Sequence, residues 1–228
     1  METQKIYNLV ILDASGSMGT IYTQALSGVN ETLATIRMAQ NEHPELQQFV
    51  TLASFSAGEH FLNRIYSAKP IAEARNITKE DYPLLGCTAL YDAMGTCISE
   101  LQQKVTHGDR VLVTIITDGY ENASHTWSGH QIKSIVQELR QMGWTFTYIG
   151  ADQDVEKVAG EIGVQNTLRF SANEEDTEVM FEKERRSRSK FYDMVYHCMA
   201  SPGASLVETD DYFADDDEPV ATPHAPEP

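Results

Sequence analysis

Residues 10–20 read VILDASGSMGT. An apolar run stops at Asp13, and Ser15 and Ser17 follow at alternate positions between glycines. Upstream, KIYNLVILD (5–13) is almost continuously apolar, as expected of a strand covered on both faces. Downstream the spacing changes. Ile21, Ala25, Val29, Leu33 and Ile36 recur every three or four residues, which is one helical stripe, and Asn41 and Pro44 end it. A buried strand therefore feeds a helix through a loop rich in side-chain oxygen.

The same alternation continues along the chain. FVTLASFS (49–56) reads as a strand, and EHFLNRIYSAKP (59–70) as its hairpin partner after a tight Ser56-Ala57-Gly58 turn. A loop region runs to about Leu85, and 88–104 reads as a helix. DRVLVTIITDG (109–119) is the most apolar strand; 129–142 is a helix closed by Gly143; WTFTYIGAD (144–152) is a strand. A short helix (154–162), a last strand QNTLRFS and a terminal helix over 173–200 follow. This order predicts an α/β fold: a Rossmann-like, doubly wound, mostly parallel sheet of about six strands with one antiparallel edge strand and helices on both faces. Residues 1–201 make one domain, and 202–228, rich in Asp, Glu, Pro and Ala, make an acidic tail expected to lack fixed structure.

The formal net charge is −17. Eight acids and no Lys or Arg fall in 202–228, which leaves 26 acids against 17 bases for the body. That balance argues against nucleic acid or an anionic membrane as the partner, since both select basic surfaces. The first residues have no basic stretch ahead of the apolar run, and no segment approaches membrane-spanning length, so neither a signal peptide nor a membrane anchor is expected. Cys87, Cys97 and Cys198 are odd in number and lack CxxC spacing, which suits small buried apolar residues in a reduced cytoplasm.

Open α/β sheets place ligands at the carboxyl ends of their strands. Three clusters fall at such ends: Asp13, Ser15 and Ser17; Thr88 in LGCTALYDAM; and Asp118 after VLVTIIT. Two carboxylates and three hydroxyls form a hard-oxygen set suited to Mg²⁺, which takes about six oxygens at ~2.0–2.1 Å. Such sites also take Mn²⁺. In a locally extended loop, alternate residues point one way, so Asp13, Ser15 and Ser17 would converge. Each piece has an ordinary alternative. Asp13 and Ser15, or Thr88, serve equally as helix caps, Asp118-Gly119 as a turn, and Asp92 as a solvated or capping acid.

DASGSMG, LGCTALYDAM and ITDGYEN together resemble the three motifs of the von Willebrand factor A domain. The resemblance covers roughly residues 5–170, with an outer limit at 200, and Cys87 stands where many relatives carry glycine. It implies a metal-ion-dependent adhesion site. Ser15 and Ser17 would ligate the ion directly, Asp13 and Asp118 directly or through water, and Thr88 in the ligand-bound form. It further implies a non-catalytic module that captures a carboxylate from a protein partner. By analogy it implies the bacterial-type intracellular branch, associated with tellurium-resistance and stress systems or AAA+ ATPases.

Two further stretches stand out. ETDDYFADDDEP, in the tail, offers carboxylates beside Tyr212 and Phe213 that would suit a metal site in this chain or a neighbour; a solubilising tail is the plainer reading. EKERRSRSK (182–190) reads as a solvated helix face with Glu182 and Arg186 paired at i, i+4, and with a conceivable role in holding the tail. The rival classes are a metal-dependent phosphatase-type hydrolase and a structural subunit of a larger assembly. The first is disfavoured because Ser15 stands where an Asp-x-Asp nucleophile motif needs its second acid, and no lysine lies beside Asp118.

Overall fold

A computed structural model describes residues 3–151, 154–200 and 211–214. Six strands form one sheet: β1 (Gln4–Asp13), β2 (Leu46–Phe55), β3 (Leu62–Pro70), β4 (Arg110–Thr117), β5 (Trp144–Ala151) and β6 (Asn166–Phe170). Their order is β3-β2-β1-β4-β5-β6. Every pairing is parallel except β2 with β3, so β3 is the expected antiparallel edge. The sheet is mostly parallel and doubly wound, as the alternating pattern predicts.

Among the described residues five α-helices cover it: α1 (Tyr22–Glu42), α2 (Leu90–Gln102), α3 (Gly129–Gln141), α4 (Val155–Glu161) and α5 (Glu174–Ala200). One core cluster joins α1 and α5 to one face, through Val29, Leu33, Ile36, Met180, Phe181 and Phe191. The other joins α2, α3 and α4 to the opposite face, through Met94, Ile98, Val136 and Ala159. Strand β1 feeds both: Ile6, Val10 and Leu12 face one cluster, Leu9 and Ile11 the other. Burying each such side chain stabilises the fold by about 1.5–3 kcal/mol. A one-residue slip would exchange the two sets, so the register that brings Asp13 to the strand tip is firmly fixed.

Several local expectations change. The turn between β2 and β3 is a six-residue loop, closed by the Ser56 N–H donating to the Phe61 carbonyl at 2.8 Å, and β3 begins only at Leu62. Residues Gly16–Ile21 form a 3-10 turn, not an extended loop. Cys97 is buried as expected, but Cys87 is exposed and Cys198 half-buried.

The basic run of α5 is not wholly solvated. Glu182 does pair with Arg186 at 2.9 Å on the surface. Arg188 and Glu184, however, are 0% and 1% exposed and form an ion pair at 2.7 Å. Arg188 also donates to Thr114 Oγ1 at 2.7 Å, to Asn8 Oδ1 at 3.0 Å and to the Tyr192 hydroxyl at 3.2 Å. The Tyr192 hydroxyl donates to Asn8 Oδ1 at 2.6 Å. Burial opposes the guanidinium charge, and the neighbouring Glu184 carboxylate outweighs that, so Arg188 stays charged. Arg188 lies on the inner face of α5 with its i−4 and i+4 neighbours Glu184 and Tyr192, in line with buried Phe181 and Val195.

The stretch expected to lack structure departs from that at 211–214. Tyr212 and Phe213 are buried in the α1/α5 cluster. The remainder of 202–228 lies outside the described residues.

Candidate metal centre

The candidate site sits where β1 and β4, the two central strands, end side by side. Asp13 is the last residue of β1 and is fully buried. Its Oδ1 accepts the Ser15 N–H at 2.7 Å and its Oδ2 accepts the Thr117 hydroxyl at 2.6 Å. Its backbone carbonyl accepts the buried Tyr82 hydroxyl at 2.5 Å. The carboxyl is pushed up to about 6, above all by burial. The hydrogen bonds from Thr117 and Ser15 pull it down, and the Asp118 charge raises it again.

Ser15 is buried and extended, and the 3-10 turn that starts at Gly16 swings Ser17 back over it. Their hydroxyls lie 3.1 Å apart. Ser17 donates to Asp118 Oδ1 at 2.7 Å, which links the first cup loop to the tip of β4 across 101 residues of sequence. The convergence expected of strand-like alternation is thus carried by a turn. Neither Ser15 nor Thr88 acts as a helix cap: the Ser15 side chain makes no capping bond, and the residue before α2 is Ala89.

Gly119 marks where the loops meet. A Cβ placed on it would lie 3.2 Å from Thr88 Oγ1, 3.7 Å from Ser17 Oγ and 4.0 Å from Asp13 Oδ2. Oxygens from two separate segments, 13–17 and the loop before α2, therefore surround a position on a third. Among the described residues no three His, Cys, Asp or Glu side chains gather as metal ligands, so a cation here would rest on hydroxyls together with carboxylates.

A set of groups that sequence reasoning missed, or read differently, holds these loops. Asp92 is buried, not solvated: its carboxylate accepts the N–H groups of His125, Thr126 and Trp127 at 2.7–2.9 Å. Glu121 reaches the other way and accepts from the Tyr91, Ala123 and Ser124 N–H groups. Asn122 and Thr88 exchange two hydrogen bonds, Thr88 N–H to Asn122 Oδ1 at 3.0 Å and Asn122 N–H to the Thr88 carbonyl at 3.1 Å. Trp127 then lies flat on α2 where Gly95 has no side chain; a Cβ there would meet the indole at 2.2 Å. Thr117, the hydroxyl ending the mostly apolar strand RVLVTIIT, and the polar run GYENAS were the available signals.

On the near side, the Leu85 N–H donates to the Ala14 carbonyl at 2.8 Å and the Gly16 N–H to the Gly86 carbonyl at 3.1 Å. Leu85 and Tyr120, 58% and 57% exposed, stand in the loops that carry Thr88 and Asp118.

No family model matches the chain, and no curated protein does. Solved structures do share the fold at low identity. The von Willebrand factor type A protein from Catenulispora acidiphila aligns with a TM-score of 0.55 and 15% identity, over 82% of this chain and 42% of that one. The pilus adhesin SpaC from Lactobacillus rhamnosus GG aligns at 0.63 and 13%, over 84% of this chain and 31% of that one. The SpRpn10 VWA domain aligns at 0.51 and 8%, over 78% of this chain and 94% of that one. The chain thus spans less than half of the first two proteins and nearly the whole of the third. These likenesses show a von Willebrand factor A fold.

Proposed function

We propose that this chain is a non-catalytic protein-binding module that holds Mg²⁺, or Mn²⁺, in the cup of Asp13, Ser15, Ser17, Thr88 and Asp118, and uses it to capture an acidic side chain of a partner protein. The observation that carries the reading is the meeting of Asp13 and Ser17 oxygens from the first loop with Thr88 Oγ1 from the second around Gly119 of the third, where Ser17 also holds Asp118. The donor chemistry fits a hard cation: every candidate ligand is oxygen, and only two of the five are charged. A cation held by so few charges keeps affinity for an outside carboxylate, which is the chemistry the ion would supply. Ser15 and Ser17 would hold it directly. Asp13, already anchored by Ser15 and Thr117, would orient ligands as much as bind them.

The fold supports the interaction role, since one structure sharing it is a pilus adhesin. The exposed Leu85 and Tyr120 give the cup an apolar rim for a partner to cover. Among the described residues no helix is long and apolar enough to cross a membrane. An intracellular setting, in a stress-response or complex-assembly system, remains part of the proposal. A carboxylate from this chain's own acidic tail is a weaker candidate: Tyr212 and Phe213 seat against α5, away from the cup, and Asp215 to Glu218 lie outside the described residues.

Two measurements test the reading. Titration calorimetry with Mg²⁺ and Mn²⁺ should give one site in the wild type and none in Asp118→Ala or Ser15→Ala. A pull-down with Mg²⁺ or EDTA should then retain a partner only for wild type with Mg²⁺. Equal retention in all conditions would mean that partners bind elsewhere and the cup is structural.

A further inference from the structure

Tyr212 and Phe213 are seated in a way that their neighbours are not. Asp211 and Ala214 are exposed, while Tyr212 and Phe213 retain 6% and 9% of their surface. The Tyr212 ring lies 6.3 Å from Phe191 of α5, and Phe213 stands edge-on to Tyr212 at 4.8 Å. The Tyr212 N–H donates to Asn166 Oδ1 at 3.0 Å, and the Tyr212 hydroxyl donates to Glu184 Oε1 at 3.4 Å. Asn166 is itself fixed, its Nδ2 donating to the Phe146 carbonyl at 3.1 Å. A turn closes the segment, the Ala214 N–H donating to the Asp211 carbonyl at 3.1 Å.

This is a two-residue anchor in a socket built by the body of the domain. The socket reads one backbone N–H, one phenol and two rings, much as short peptides are bound through aromatic anchors with satisfied polar ends. Charge fits as well. Glu208, Asp210 and Asp211 precede the pair, and Asp215, Asp216, Asp217 and Glu218 follow it; the outer side of α5 beside the socket carries Lys183, Arg185, Arg186 and Lys190 against Glu182 alone, Arg188 being neutralised inside by Glu184. Chain length fits too. From the end of α5 back to Phe191 and Glu184 is about 14–24 Å at ~1.5 Å per residue. The ten residues 201–210 reach up to ~33 Å when fully extended, which exceeds that distance.

We propose that the socket formed by α5 and the start of β6 is a second protein-binding site, distinct from the oxygen cup. Its ligand class is a short acidic segment bearing a Tyr-Phe pair, and residues 211–214 are its resident, exchangeable occupant. Tethering holds that occupant at an effective concentration on the order of millimolar, so a partner carrying the same chemistry competes with it. The inference does not depend on the metal.

The test uses the full chain with a protease recognition sequence inserted between Gly203 and Ala204, cleaved after folding, and a fluorescent peptide of residues 205–218. The released C-terminal fragment should co-elute with the body when concentrated and part from it on dilution. The peptide should bind the cleaved protein roughly tenfold or more tightly than the uncut chain, since the tether no longer competes. A Tyr212→Ala/Phe213→Ala peptide should not bind, high salt should weaken binding, and EDTA should leave it unchanged. A fragment that never leaves while no peptide enters would overturn the proposal, because the pair would then be fixed core. So would a fragment that leaves at once with no peptide binding and no change in melting temperature. A concentration-dependent dimer dissolved by the peptide would overturn the assignment of the occupant to the same chain.

Discussion

Strands β1 and β4 each carry polar side chains at two levels, and the two levels behave differently. At mid-strand, Asn8 and Thr114 meet Arg188, Glu184 and Tyr192 of α5 in a network sealed from solvent. At the strand tips, Asp13 and Asp118 lie within electrostatic reach of each other, and the donors hydrogen-bonded to Asp13 are an amide and a hydroxyl. The mid-strand network brings its own cation on a helix. At the tips, the hydroxyls and carboxylates of three loops point toward one another. Polar groups next to one another on the same strands are therefore bound differently: one set fixes how α5 packs, the other ties loops to one another at the strand tips.

Mutations that separate the two levels give graded effects. The largest belongs to Arg188→Ala, which strands the buried Glu184 carboxylate; denaturant unfolding should show a loss of about 3–5 kcal/mol. Glu184→Leu with Arg188→Met should cost much less, because no buried charge is left alone. Equal costs for the two would contradict a network that derives its effect from charge pairing. Next comes Asp92→Ala, which leaves the N–H groups of residues 125–127 without their acceptor. A loss of about 1–3 kcal/mol is expected, with hydrogen exchange accelerated at those amides and little altered in α5. Tyr192→Phe removes one hydroxyl from the buried level and should cost about 1 kcal/mol by the same unfolding measurement.

The smallest stability effect belongs to Asp118→Ala: within about 0.5 kcal/mol in EDTA, because the half-buried Asp118 charge adds to the strain on Asp13. In calorimetric scans, millimolar Mg²⁺ should raise the melting temperature of wild type and of Tyr192→Phe by mass action, but not that of Asp118→Ala. Loss of the Mg²⁺ response in Tyr192→Phe as well would erase the distinction between the levels.

The sheet was legible because its strands are short, apolar and punctuated, and because each helix shows an apolar stripe of helical period. The five cup residues were legible as motifs: DASGS, the Thr88 stretch and TDG are local in sequence. What holds them was not. Asp92 looks like any acid in the first turn of a helix, since nothing nearby in sequence shows that loop 125–127 brings three N–H groups to it. Arg188 looks like one more charge in a basic run, because its partners Asn8 and Thr114 are 180 and 74 residues away. The acidic composition of the tail concealed two aromatic residues with a socket waiting on another element.

The sequence by itself determined the order of elements, the parallel sheet with its one antiparallel edge, and which oxygens stand at the strand tips. Those follow from periodicity and local chemistry, which act over a few residues. Only the tertiary structure decided that Ser17 reaches Asp118, that Asp92 and Glu121 clasp the cup loops, that Arg188 and Glu184 are buried together, and that Tyr212 and Phe213 return to the core. Each is a contact across long stretches of chain. Burial turns an ordinary polar side chain into one that must find its partner, and where that partner lies is set by packing.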